Sequence, residues 1–276
     1  MTTAERSLWL GQIRAMLGLE LKKTFLRARA LPVVLVALLP AVLLGVRALV
    51  FPLTHDDAAS AADVARVYAH IFQIFYLRLV VFFGCFAIFT YLVRGETSER
   101  SLHFYLLAPL KREVFLAGKF VTGVVAAGAL FSVSLALQLL LAYLPSATVQ
   151  GGAYLFAGPG GGQALAYFGV VWLAVVGYGA VFLALALLFR NPMIPAAVLL
   201  GWEWINFFLP PVLQRISVIH YLQSLCPVPV DRGPFALPVT PTPAALAVPG
   251  LLVLSGLLLW VAARRARRLE VTYAGD

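Results

Sequence analysis

A chain of 276 residues that is 62% apolar and only 12% charged, with a mean hydropathy of +0.91, has too little polar surface to clothe a soluble globule. Its net charge of +9 raises a nucleic-acid reading, but that role needs aromatic side chains interleaved with basic ones on a soluble face, and no such pattern occurs. The expected architecture is all-α: a polytopic integral membrane protein with six transmembrane helices preceded by an amphipathic interfacial helix, and nucleic acid is not an expected partner.

At the N-terminus, Trp9, Ile13, Met16, Leu17, Leu21 and Phe25 recur at helical spacing, with Gln12, Arg14, Glu20, Lys22 and Lys23 between them. Residues 1–30 are therefore expected to form a cytoplasmic amphipathic helix, with its basic side chains on anionic lipid headgroups and its apolar ones in the acyl boundary. Spacing leaves two roles open for it, a juxtamembrane anchor and a partner-contacting element. The apolar run that follows is too long for a cleavable signal core, which predicts an uncleaved first helix. A membrane span takes roughly 20 predominantly apolar residues. Six stretches approach that length: Leu31 to Leu53, Ile71 to Val93, Phe120 to Leu144, Leu165 to Phe189, Pro195 to Val212 and Leu246 to Ala263. All are too uniformly apolar for the alternation of a barrel strand. Residues 31–263 are read as the six-helix domain and 264–276 as a basic cytoplasmic tail.

The basic residues orient this layout. With the N-terminus inside, 16 of the 21 Lys and Arg fall on inside segments, from Arg6 through Lys23 and Arg29, across Arg94 to Lys119, to Arg190 and the Arg264 to Arg268 cluster. Arg47, Arg66, Arg78, Arg215 and Arg232 are left for the outside segments and outer helix ends. That bias places both termini in the cytoplasm of a cell inner membrane.

The outside segments offer little chemistry. Thr54 to Val67 is read as a short loop in which His55, Asp56 and Asp57 suit a solvated cap better than a metal site, since no further ligands follow. Pro145 to Gln163 carries Gly158, Gly160, Gly161 and Gly162 without the Gly-Lys-Ser/Thr of a phosphate loop, and Gly118-Lys119 is followed by Phe120. The chain is thus not expected to hydrolyse ATP unaided. Residues 213–245 hold Pro227, Pro229, Pro234, Pro238, Pro241 and Pro243, which predicts a non-helical, extended or re-entrant cap, either touching substrate or serving as a connector. Cys85 and Cys226 are expected to be unpaired, and the four histidines are too scattered to ligate a metal or haem.

The most informative segment joins the second and third stretches and reads RGETSERSLHFYLLAPLKREVFLAGKF from Arg94 to Phe120. It is charged at both ends and apolar in the middle, and it is longer than a simple connector needs to be. That form predicts a short helix across the base of the membrane, placed to receive a push from a soluble partner. The segment resembles the corresponding loop of the ABC-2-type ABC transporter permeases through Gly95, Glu96, Ser101, Leu102, Leu106, Leu107, Pro109, Arg112, Gly118 and Lys119. Arg100 departs from the small residue usual before the hydroxyl. The amphipathic N-terminal helix, six spans and long last outside segment are similar to that family too. The resemblance implies an exporter permease whose loop, with Glu99 among the contacts, docks on a separate ATPase (nucleotide-binding) subunit. It also implies that a second permease copy, identical or not, completes the substrate path. ATP and Mg would belong to the ATPase, with no cofactor in this chain.

Glu203, between Trp202 and Trp204, is the one carboxylate inside an expected span. An intramembrane carboxylate is costly unless paired, so it is read either as a structural ion pair with Arg78 or Arg47, or as a substrate or gating group. Gln138 and Asn206 are expected to hydrogen-bond between helices. A self-sufficient secondary transporter or integral membrane enzyme is the competing class. It calls for charges converging at the midplane or internal repeats, and Glu203 alone answers that description.

Overall fold

The computed structural model describes residues 31–54, 60–98, 112–143, 158–230 and 242–266, together with residues 11, 17, 18, 153 and 154. The described residues form helices and turns and no strand. In chain order they are α1 (Leu31–Thr54), α2 (Ala61–His70), a π-helical stretch (Ile71–Val81), α3 (Phe82–Ser98), α4 (Arg112–Tyr143), α5 (Gly160–Leu188) and α6 (Met193–Ile205). A 3-10 turn (Asn206–Phe208), α7 (Pro211–Gln214), α8 (Val218–Leu225) and α9 (Ala244–Ala266) complete the order. Five helical stretches are long and apolar enough to cross a membrane, Leu31–Val50, Ala61–Gly95, Val114–Tyr143, Gly160–Leu188 and Ala244–Ala266, which is the layout of a polytopic membrane protein.

Several boundaries differ from the sequence expectation, each for a local reason. The second crossing begins at Ala61, not at Ile71, because Ser60 caps it: its Oγ accepts from the Asp63 N–H at 3.2 Å and donates to the Asp63 carboxylate at 2.6 Å. The expected outside loop therefore contributes its second half to a helix, with Asp63 also paired to Arg66 at 3.3 Å. Helix α4 begins at Arg112 and its apolar stretch at Val114, so Gly118 and Lys119 lie within α4 and do not close a loop before it. The fifth expected stretch is helical only over the 13 residues of α6, fewer than the roughly 20 a span takes. Beyond it the chain turns at Leu209 and Pro210, where two successive prolines remove the N–H groups that a helix would need. Residues 213–245, expected to be non-helical, include the end of α7 and all of α8 before their Pro-rich part. The amphipathic stretch 8–29 lies outside the described residues except for helical Gly11, Leu17 and Gly18, and the tail beyond Ala266 lies outside them too. Within the expected tail, Arg264 and Arg265 form the last turn of α9, and the Arg264 guanidinium sits 3.7 Å from the centroid of the Trp260 ring.

Helix α5 is the central element. It is apolar on every side and buries residues around its whole circumference, from Tyr167 through Tyr178 to Phe182. It packs against α3, α4, α8 and α9. Between α3 and α5 runs a seam of edge-on aromatic pairs, Phe82 to Phe182 at 4.9 Å, Phe82 to Tyr178 at 5.4 Å and Phe86 to Phe182 at 5.4 Å.

Glycines let these helices approach. The Phe89 ring of α3 is wedged between Gly123 of α4 and Gly179 of α5, and a Cβ at either glycine would collide with it. Phe131 of α4 sits on Gly84 of α3 in the same way, and Trp172 of α5 sits on Gly128 of α4. Small residues at helix contacts are the usual means of close packing in lipid, where apolar burial alone does not distinguish a neighbour helix from acyl chains.

This packing sets a measurable expectation. Gly179→Val should lower stability by about 1–3 kcal/mol through overpacking. Phe89→Ala should lower it by about 3–5 kcal/mol through the cavity left behind. Thermal unfolding in detergent reads both, and a Gly179→Val protein that melts with the wild type contradicts the wedge.

Candidate functional site

The segment predicted to meet a soluble partner is described at its two ends. Gly95 lies in α3, with the Tyr91 ring against it, and Glu96 lies in the last turns of the same helix. Arg112 opens α4. Glu99, Ser101, Leu102, Leu106, Leu107 and Pro109 lie outside the described residues. At the α3 end, the Arg94 guanidinium donates through Nη2 to the carbonyl of Phe189, the residue that closes α5. At the α4 end Lys119 is fully buried, its Nζ 5.4 Å from the centroid of the Phe115 ring one turn earlier. Both ends of the segment are thus fixed to the bundle, one through a charged hydrogen bond and one through a buried cation.

The second candidate, Glu203, lies at the best-defined polar centre among the described residues. Its side chain is 1% exposed. Ser217 Oγ donates to Oε2 at 2.7 Å, the Ile219 N–H donates to the same oxygen at 3.1 Å, and the Val218 N–H donates to Oε1 at 3.1 Å. Ser217 is the residue before α8, but its hydroxyl makes no cap to its own helix. The Glu203 carboxylate takes that place, bonding the first two free N–H groups of α8 from a different helix. A negative charge at a helix N-terminus is also favoured by the helix dipole.

Of the two cations expected near Glu203, Arg78 is the one that reaches it. From the π-helical stretch, Arg78 Nη1 donates to the Glu203 backbone carbonyl at 2.5 Å, and its guanidinium lies 5.7 Å from the Trp204 ring centroid. It is within electrostatic reach of the carboxylate as well. Tyr178 of α5, fully buried, lines the same centre. A π-helical stretch, wider than an α-helix because its bonds run from i to i+5, is rare and recurs at functional sites. Here the stretch carries both of its buried polar residues, Arg78 and Gln73, toward the α6 to α8 region. Gln73 Nε2 donates to the Val228 carbonyl at 2.8 Å.

No known protein family matches this chain, and no curated protein does. Its chemistry therefore rests on the residues alone.

The remaining candidates fall as follows. Asn206 Nδ2 donates to the Gln214 carbonyl at 3.4 Å, joining the 3-10 turn to α7, whereas Gln138 bonds within α4 to Ser134 at 3.0 Å. The link between helices comes from Ser134, whose Oγ donates to the Ala37 carbonyl of α1. Gly160, Gly161 and Gly162 open α5, with the Tyr154 ring against Gly160 and its hydroxyl donating to Gln163 at 3.0 Å. Cys85 and Cys226 are free thiols. His55, Asp56, Asp57 and His103 lie outside the described residues, and among the described ones no three His, Cys, Asp or Glu side chains gather to hold a metal. Sequence reading missed Ser217 as part of the Glu203 centre. A serine just before Val218 reads as an N-cap of its own helix, which its hydroxyl does not make, so no local pattern pointed to Glu203.

The cap predicts a local effect. Glu203→Ala strands three buried donors, at about 1–3 kcal/mol for each that finds no other partner. Backbone amides of residues 218–225 should exchange with deuterium faster in that variant, and unchanged exchange in α8 would refute the cap.

Proposed function

We propose that this chain is the permease subunit of an ABC-2-type ABC exporter, residing in the cell inner membrane with both termini in the cytoplasm. It has six crossings, the fifth built from α6 and the turn and short helices that continue it. The observation that carries the reading is the Arg94 to Phe120 segment between two long apolar helices, with its Gly95-Glu96 start, Ser101-Leu102 and Leu106-Leu107 pairs, Pro109 and Arg112. An all-helical bundle of long apolar helices supports it. So does the fixing of the segment's two ends, by Arg94 to the end of α5 and by buried Lys119 within α4. A force applied between those ends is transmitted to α3, α4 and α5 as packed bodies, the kind of rigid-element motion by which transporters alternate access.

In this proposal ATP and Mg bind a separate ATPase subunit, whose closure pushes the segment. Two permease copies enclose the path, and the substrate moves outward or is drawn from a leaflet. A secondary transporter or membrane enzyme is the competing proposal, and it rests on the buried charges Glu203 and Arg78. Their hydrogen bonds go to the α8 N-terminus and to the α6 backbone, which favours a structural role over a transport one.

Charge reversal separates the two classes. In a complex purified with its ATPase, Glu96→Lys or Glu99→Lys should lower ATP hydrolysis by about tenfold, as expected when a charged contact worth about 1.4 kcal/mol is lost. Substrate movement by the chain alone, with no ATP-hydrolysing partner, would establish the competing class.

A further inference from the structure

Between α5 and α6 the chain reverses through Arg190, Asn191 and Pro192, and an open groove of ≈ 490 Å³ lies at that reversal, lined by Phe189, Arg190, Asn191, Ile194, Pro195 and Val198. We propose that this groove binds an anionic phospholipid, its acyl chain along Ile194, Pro195 and Val198 and its phosphate on Arg190. The size falls within the about 300–1,000 Å³ of small-molecule sites.

Three observations select that occupant. The floor is apolar and exposed, with Ile194 67% and Val198 71% open, and α6 buries only Ala196 and Glu203. Nothing on that floor would hold a free phosphate, whereas an acyl chain makes van der Waals contact along it. At the rim Arg190 is exposed and makes no hydrogen bond or ion pair with any described residue, and no lining residue is acidic, so the site complements a negative headgroup. Asn191 Oδ1 already accepts from the Met193 N–H at 3.1 Å, so it is committed to the turn and Arg190 is left as the headgroup's donor. The groove opens at the junction of two apolar helices, α5 and α6. This inference goes beyond the transport proposal and holds whatever drives the chain.

The test is native mass spectrometry of the delipidated full chain in detergent with phosphatidylglycerol or phosphatidylcholine. The first adduct should favour phosphatidylglycerol by about fivefold, the preference one basic side chain gives at an anionic surface. Arg190→Gln should abolish that preference, while Arg215→Gln, an exposed cation elsewhere, should keep it. Val198→Trp should weaken both lipids by filling the groove. Equal binding of the two lipids, an unchanged preference in Arg190→Gln, or inorganic phosphate bound as well as the lipid would overturn the proposal. So would efficient disulfide cross-linking of Val198→Cys chains in native membranes, which would show a second copy covering the groove.

Discussion

The bundle depends on aromatic rings seated on glycines. In water a helix pair gains by hiding apolar area, but lipid tails are as apolar as the side chains, so close contact and buried hydrogen bonds decide which helices associate. Phe89 meets that requirement for three helices at once, because Gly123 and Gly179 leave room for its ring on either side. The aromatic seam from Phe82 to Phe182 extends the contact along α3 and α5. With α5 held this way, α8 and α9 have a surface on which to pack, and the polar centre at Glu203 has a wall in Tyr178.

That centre answers a different constraint. Backbone that leaves a helix in an apolar surrounding must satisfy its N–H and C=O groups within the protein. From Ile205 to Ser217 the chain does so link by link. Leu209 N–H bonds the Asn206 carbonyl, the Gln214 side chain bonds the Leu209 carbonyl at 2.7 Å, and the Asn206 side chain bonds the Gln214 carbonyl. At the end of this path α8 starts with unpaired N–H groups, and the Glu203 carboxylate supplies the acceptors. Arg78, reaching in from the π-helical stretch, bonds the same residue's carbonyl and brings a compensating charge. A buried glutamate in an apolar helix thus stands where a broken helix needs both a cap and a counter-ion.

Much of this was legible in the residues. Hydropathy located five of the long helices, because each is a run of apolar side chains long enough to span. It overran at α6 because an average over Pro195 to Val212 is blind to the missing N–H groups of Pro210 and Pro211. It began the second crossing late because Asp63, Arg66 and His70 lower the average over a turn that Ser60 nonetheless caps. Glu203 stood out as a buried carboxylate, and Arg78 was named as a partner for it. The donors on Ser217, Val218 and Ile219 were not visible in that way, since a tertiary cap joins residues whose spacing has no local period. The π-helical stretch has no pattern in the sequence that would distinguish it from α-helix.

The functional account turns on the side of the membrane that residues 99–111 occupy. Replacing Ser101 by cysteine, with Cys85 and Cys226 changed to serine, allows that side to be read with a membrane-impermeant maleimide. The account predicts no labelling in intact cells and full labelling in inverted membranes. Labelling of intact cells would place the segment beyond the reach of any cytoplasmic ATPase and contradict it.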